Sequence, residues 1–202
     1  MNLDAIVLSG GRASRLGGVD KGAIDIGGET MLQRTLRACA AAREVVVVGD
    51  ADRTSLGEQA VELTVVREDP PYGGPVAGLA AGMRALPRDT DLVLVVACDM
   101  PLAVDAVPPL VEASSAAIAV AGETARQCDG AWACDDGGTS QPLLAVYVKE
   151  ALVAALAQVG DPDGASMRAL TGGLVMTSVP AGAAARDADT WNDVERLREE
   201  IS

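Results

Sequence analysis

The densest chemistry in the chain lies in Leu8-Ser9-Gly10-Gly11-Arg12-Ala13-Ser14-Arg15-Leu16-Gly17-Gly18-Val19-Asp20-Lys21. Two adjacent glycines, Gly10 and Gly11, let the backbone turn sharply and approach a ligand with no Cβ in the way. Backbone N–H groups in such a turn form a concavity for phosphate oxygens. Arg12, Arg15 and Lys21 add cations at the same place. A nucleoside triphosphate would find there both the donors and the counter-charge it needs. A solvated surface loop is the competing reading of a generic Gly/Arg segment. The stretch fits neither familiar phosphate loop. Lys21 follows Asp20 and precedes Gly22, unlike the Walker Lys-Ser/Thr, and Gly10 to Arg15 misses G-x-G-x-x-G. The second chemical residue is Asp99, in Cys98-Asp99-Met100-Pro101, at the end of the most hydrophobic run. It is either a hard oxygen ligand of the kind Mg²⁺ takes beside phosphates or a cap for the helix that follows. Arg168 is a candidate clamp for an acceptor's phosphate, with a solvated helix position as its alternative.

These residues need a frame, and the hydrophobic pattern predicts one. Leu3–Leu8, Glu44–Val48, Glu62–Val66, Asp91–Ala97, Ala117–Ala121, Gln141–Tyr147 and Leu174–Val179 read as strands. Ala23–Ile26 reads as a short extended piece turned by Gly27-Gly28, and Asp50–Ala60 as a loop with a short helix. Glu29–Ala42 is expected to be a helix with Met31, Leu32, Thr35, Leu36, Cys39 and Ala40 on one face. Further helices are expected from Pro75 to about Leu86, over Asp105–Ser115 and Lys149–Val159, and from Asp187 onward, capped by Thr190, Asn192 or Asp193. Gly122–Thr139, with Trp132 between Cys128 and Cys134, reads as an irregular hairpin at the edge of the domain. Alternating strands and helices predict a doubly wound, three-layer α/β fold with a mostly parallel twisted sheet. Ligands on such sheets sit beyond the carboxyl ends of the strands, where the loop after Leu8 and Asp99 both fall.

Composition narrows the function classes. A chain of 202 residues, 49% hydrophobic, is read as one domain, residues 1–202, with a substantial core. The formal net charge of −13 makes it a poor general binder of nucleic acid or of anionic membrane. It contains no histidine, which excludes Ser-His and Cys-His catalysis and imidazole metal ligands. Lysine occurs only at Lys21 and Lys149 against fourteen arginines, so a compact ammonium in the first loop stands out. Cys39 and Cys98 sit in apolar runs as small core residues, while a Cys128–Cys134 pairing is left open by the sequence. With no targeting segment and no run of membrane-spanning length, the expected location is the cytoplasm.

The whole first stretch resembles the signature L-[AS]-G-G-x-x-x-R-[ML]-G-x-D-K of nucleotidyltransferases with the sugar-nucleotide pyrophosphorylase fold. With its extra glycine and Val-Asp-Lys it looks most like the molybdenum cofactor guanylyltransferases. The resemblance continues in Glu68-Asp69, in Gly74-Pro75-Val76-Ala77-Gly78 (family G-P-x-A-G), and in Cys98-Asp99-Met100-Pro101 (family C-D-x-P). It implies the nucleotide-diphospho-sugar transferase version of the Rossmann-like fold. Nucleotide contacts are implied at Leu8, Ser9, Gly10, Gly11, Lys21, Asp69, Gly78 and Asp99. Arg15, Lys21 and Asp99 are the implied catalytic residues, with Mg²⁺ on Asp99. Gln141 and Pro142 fall where the family has an H-P segment near the pterin. Asn192 falls where it has N-x-N-x-x-E, keeping only the second Asn. Together with Arg168 these form the expected acceptor side. Val48-Gly49 departs from the family, which has an Asn there. The implied reaction moves GMP from GTP to the terminal phosphate of molybdenum-molybdopterin with release of pyrophosphate. The implied partners are GTP, the molybdopterin cofactor and proteins that supply molybdopterin or mature molybdoenzymes. The alternatives are a cytidylyltransferase or sugar-phosphate nucleotidyltransferase of the same fold, or a nucleotide- or cofactor-binding module without turnover.

Overall fold

The computed structural model describes residues 1–10, 20–50, 56, 62–121 and 128–201, with the backbone alone for 117–121. Its centre is a seven-stranded sheet in the order β5-β4-β1-β6-β8-β7-β9. The strands are β1 (Leu3–Leu8), β4 (Glu44–Val48), β5 (Glu62–Val66), β6 (Leu92–Ala97), β7 (Gly130–Cys134), β8 (Ser140–Val148) and β9 (Met176–Pro180). A separate two-stranded ribbon joins β2 (Asp25–Ile26) to β3 (Glu29–Thr30). In the large sheet only β8 runs against the rest: it pairs antiparallel with both β6 and β7. The expected mostly parallel sheet is therefore what the chain forms.

Alternation along the strands sorts side chains into two cores, one on each face. Ala5 and Val7 of β1, Val45 and Val47 of β4, and Leu94 and Val96 of β6 face one layer. That layer holds Leu32 and Leu36 of α1 (Met31–Ala38) and Val107 and Leu110 of α3 (Val107–Ala121). Ile6, Leu8, Val46, Val48, Val93 and Val95 face the other. There they meet α2 (Pro75–Ala85), α4 (Lys149–Val159) and α5 (Met167–Thr171) through Val76, Leu79, Leu152, Ala155 and Leu170. β1, β4 and β6 are thus buried on both faces, which is why their sequences are continuous apolar runs. A third, smaller core joins Ile24, Ile26 and Met31 to Ala188, Val194 and Leu197, docking α6 (Trp191–Ile201) on the β2–β3 ribbon.

Three expectations are corrected. Ala117–Ala121 is not a strand: α3 runs on through Ala121, and an alanine-rich run has high helix propensity. The first helix begins at Met31 rather than Glu29, because Thr30 caps it. Thr30 Oγ1 accepts from Gln33 N and Gln33 Oε1 accepts from Thr30 N, a reciprocal capping box written in the sequence as T-x-x-Q. The hairpin β7–β8, with a register shift between Trp132 and Ala133, lies inside the sheet, because β9 covers its outer side. The four cysteines are free: Cys134 is buried beside Ser140, and the Cys128 thiol lies 3.4 Å from the Thr177 hydroxyl.

Candidate functional site

The site lies beyond the carboxyl ends of β1, β4 and β6, which finish side by side: Leu8 is in register with Val48 and with Ala97. The chain passes from β1 out to β4 and β5 and then returns to β6 on the other flank of β1. That is a topological switch point, the place where open α/β sheets take ligands. A cavity of about 700 Å³ opens there. β8 contributes because it runs backwards: its first residues, Gln141 and Pro142, reach the same edge as the last residues of β6.

On the β1–β4 side the floor is backbone. Ser9 N donates to Val48 O at 2.8 Å, and Cys98 N donates to Leu8 O at 3.0 Å, so the chain leaves β1 still held by both neighbours. Gly49 has φ +134, and a Cβ there would stand 2.7 Å from Ser9 O. The absence of a side chain after Val48 is therefore a condition for the Ser9–Gly10 backbone to pass this close. Gly78, on the first turns of α2, has a related role: a Cβ would meet Leu8 Cδ2 at 3.2 Å. Pro75 opens that helix at its first position, where no N–H is needed. Before it, Glu68 accepts from Tyr72 N at 3.0 Å, and the Arg67 guanidinium lies 5.7 Å from the centre of the Tyr72 ring. Glu68, Tyr72, Gly74, Pro75 and Gly78 line this half of the cavity.

On the β6 side the lining is charged. Lys21 sits in a short 3₁₀ turn, Lys21–Ala23, capped by the Asp20 carboxylate, which accepts from Gly22 N at 2.9 Å. The Lys21 ammonium donates to Asp99 Oδ2 at 3.0 Å and to Asp189 Oδ1 at 2.5 Å. Side-chain exposures of 18%, 22% and 36% for Lys21, Asp99 and Asp189 leave all three reachable from the cavity. Two features bring Asp189 here. Ala188 N donates to Asp99 O at 2.8 Å, laying Asp187–Asp189 against the end of β6. The small core under the ribbon, with Ala188 fully buried in it, fixes the same segment against the turn that carries Lys21.

The electrostatics follow from this crowding. Burial works against the charge on Lys21, but the hydrogen bond to Asp189 and the charge of Asp99 outweigh it and raise its pKa above the ordinary 10.5. Burial, then the like charges of Asp189 and Asp99, push the Asp187 carboxyl above its usual range. Burial pushes the Cys98 thiol up to about 12, so it is an inert neighbour rather than a nucleophile.

Of the residues expected from the sequence, Leu8, Ser9, Gly10, Lys21, Gly78, Asp99, Gln141 and Pro142 all line this one cavity. Asp69 is exposed and its neighbour Glu68 lines the cavity instead. Arg168 is exposed on α5 and Asn192 on α6, and neither is among the lining residues, although Met167 is. Gly11 and Arg15 lie outside the described residues. Asp187 and Asp189 line the cavity and were not singled out from the sequence. No local motif marks them in the sequence; the backbone bond from Ala188 N to Asp99 O and the burial of Ala188 bring them to the cavity.

Comparisons with known proteins agree with the architecture. A family model described as a MobA-like NTP transferase domain matches residues 5–176. Curated relatives named molybdenum cofactor guanylyltransferase include one from Shewanella sp. (strain W3-18-1), 36% identical over 126 residues that cover 60% of this chain and 63% of that protein. Another, from Vibrio atlanticus (strain LGP32), is 31% identical over 147 residues, covering 73% of this chain and 69% of that protein. The chain thus spans less than two thirds of the length of the Shewanella relative. Among solved structures, a nucleotidyl transferase from Methanothermobacter thermautotroptrophicus superposes with a TM-score of 0.74 at 21% identity, over 99% of this chain and 97% of that one. The molybdopterin-guanine dinucleotide biosynthesis protein A from Archaeoglobus fulgidus gives 0.69 at 20% identity, over 98% and 97%. At those identities the likeness establishes the shared fold.

Proposed function

The chain belongs to the MobA-like NTP transferase family, and from that premise we propose that it transfers GMP from GTP to the terminal phosphate of molybdopterin cofactor, releasing pyrophosphate. The observation that carries the reading is the Lys21 ammonium held between Asp99 and Asp189 at the mouth of a cavity walled by the β1 turn. The acceptor's phosphate oxygen attacks the α-phosphorus of GTP. A new P–O bond forms, the bond from the α-phosphorus to the bridging oxygen breaks, and pyrophosphate leaves with that electron pair. A phosphate nucleophile is ionised at neutral pH, so no general base is required, in keeping with a chain that has no histidine. The protein's work is positioning and charge neutralisation. Gly10 and the backbone around it meet the nucleotide, Gly78 and Glu68 wall the base side, and Lys21 turns its charge on the phosphates. Gln141 and Pro142 face the acceptor from β8, while Asp69, Arg15, Gly11, Arg168 and Asn192 stay candidates.

The donor set fits Mg²⁺. Asp99, Asp187 and Asp189 are hard oxygen donors on one cavity, and a cation, the Lys21 ammonium, already lies between two of them. Among the described residues no group of three or more His, Cys, Asp or Glu side chains is arranged to hold a metal. Mg²⁺ takes one or two carboxylates and completes its shell with substrate phosphates and water. Asp99, with Asp189, would hold it, and when bound it would neutralise charge on the substrate oxygens. We take the chain as one domain working in the cytoplasm; among the described residues no helix is long and apolar enough to cross a membrane.

One observation favours a second reading. Gly49 offers no side chain to the base, so a cytidylyltransferase or sugar-phosphate nucleotidyltransferase of the same fold is the alternative. The deciding experiment incubates the protein with Mg²⁺, each NTP in turn and molybdenum-loaded molybdopterin, and identifies products by mass spectrometry. The guanine dinucleotide plus pyrophosphate is the expected result. Turnover with CTP equal to or better than with GTP assigns the alternative, and absence of pyrophosphate with every NTP overturns transfer.

A further inference from the structure

Lys21 is committed to two carboxylates in a site whose proposed chemistry asks it to serve phosphates. An ammonium 3.0 Å from Asp99 Oδ2 and 2.5 Å from Asp189 Oδ1 fills the space a divalent cation would need to touch the same oxygens. The two cations cannot share it, because they would repel at contact distance in a half-buried setting. Lysine is suited to such an exchange. Its charge rides on a flexible four-carbon stem that can swing while its turn stays fixed. The turn is fixed here: Asp20 caps it, and Ile24 anchors it in the small core.

We propose that Lys21 is a resident counter-cation of the Asp99–Asp189 pair, which the divalent metal displaces, and that the displaced ammonium is thereby released to the triphosphate. The inference rests on the nucleotidyl-transfer reading and adds an order to it. In the nucleotide-free protein, Lys21 screens the carboxylates and competes with metal, so metal alone binds weakly. When nucleotide and metal arrive together, the phosphates offer the ammonium a new partner and the competition ends. Lys21 therefore opposes metal binding before nucleotide arrives and favours it afterwards. A lysine that only binds phosphate would be neutral in the first state. One whose role is only to brace the fold would have no reason to reverse sign in the second.

The test uses the full chain without nucleotide and reads Mn²⁺ binding by the electron paramagnetic resonance signal of the free ion. Lys21→Met should bind Mn²⁺ about tenfold or more tightly than the parent, since a positive charge has left the site. With GTP present the order should reverse, the parent binding the metal more tightly. Asp189→Asn should weaken Mn²⁺ binding in both states. Equal or weaker binding of Mn²⁺ by nucleotide-free Lys21→Met overturns the proposal. Should that variant fail to fold, the parent answers alone. Its two lysines give two ¹⁵Nζ resonances, and Lys149, held by the carbonyls of Pro87 and Arg88, is the internal reference. Saturating Mg²⁺ without nucleotide should move the Lys21 signal and leave Lys149 in place. A stationary Lys21 signal under the same conditions overturns the exchange. The parent's pyrophosphate release, assayed separately, keeps the two readings apart. Turnover with a stationary Lys21 refutes the exchange alone, and a moving Lys21 with no turnover on any NTP refutes the transfer alone.

Discussion

At the residue scale, the site separates into side chains that act and positions that must stay empty. Asp99→Asn keeps the shape and the backbone bond from Ala188 N, so the thermal midpoint should stay near the parent's. Mg²⁺-dependent pyrophosphate release should fall by several orders of magnitude, because charge on the phosphates goes uncompensated. Turnover like the parent's at limiting Mg²⁺ would leave Asp99 as the ion-pair partner of Lys21 alone, with no part in metal binding. Gly49→Ala is the opposite case. A new Cβ 2.7 Å from Ser9 O on a φ +134 backbone should cost about 2 kcal/mol or more, read as a lower denaturation midpoint with the Ser9–Gly10 turn displaced. The placing of Lys21 and Asp99 on one cavity was legible because each follows a buried strand that ends at the same edge of the sheet. Asp187 and Asp189 were not legible. Nothing local marks them; the bond from Ala188 to Asp99 O and the packing of Ala188 in the small core, both between residues far apart in sequence, make them part of the site.

At the element scale, the strands were readable where burial on both faces demands unbroken β-branched runs, as in β4 and β6. Helix ends were less so, because caps decide them. α6 begins at a reciprocal cap: Thr190 N and Oγ1 donate to Asp193 Oδ2, and Asp193 N donates to Thr190 Oγ1. Thr190→Ala should lower stability by about 1 kcal/mol in chemical denaturation. The hydrogen bond from Thr190 holds the Asp193 pKa below its ordinary 3.8. A carboxylate with a depressed folded-state pKa stabilises above the unfolded value and loses that contribution as pH falls through the folded one. The gap between parent and Thr190→Ala should therefore be full at neutral pH and close on acidification below about 3.8. A gap that is constant down to that range would mean that the threonine acts through the bond its hydroxyl accepts from Asp193 N rather than through its bond to the carboxylate. The misread Ala117–Ala121 segment shows the limit of reading by apolar runs, since the same alanines satisfy a buried strand and a long helix.

At the scale of the whole molecule, the two rims of the sheet carry opposite duties. The carboxyl rim holds the cavity. The amino rim holds Asp4, fully buried, which accepts from Arg43, from Thr90 Oγ1 at 2.6 Å and from Glu44 N. Asp4→Ala should destabilise the fold by about 2 kcal/mol through the loss of those bonds, while the KM for GTP stays within about twofold of the parent's, an effect too small for a lost contact. A large KM change in a folded Asp4→Ala protein would contradict this division.

The long separation between Lys21 and Asp189, 168 positions, has a consequence for how the protein is made. A ribosome releases Lys21 well before Asp187–Asp189, and the whole of the central sheet through β9 also emerges before them. Every strand can thus be synthesised while the cavity rim still lacks two of its carboxylates. A chain cut just after Pro180 would keep all seven sheet strands yet lose both late aspartates, so translation completes the central sheet before it supplies these two carboxylates of the cavity.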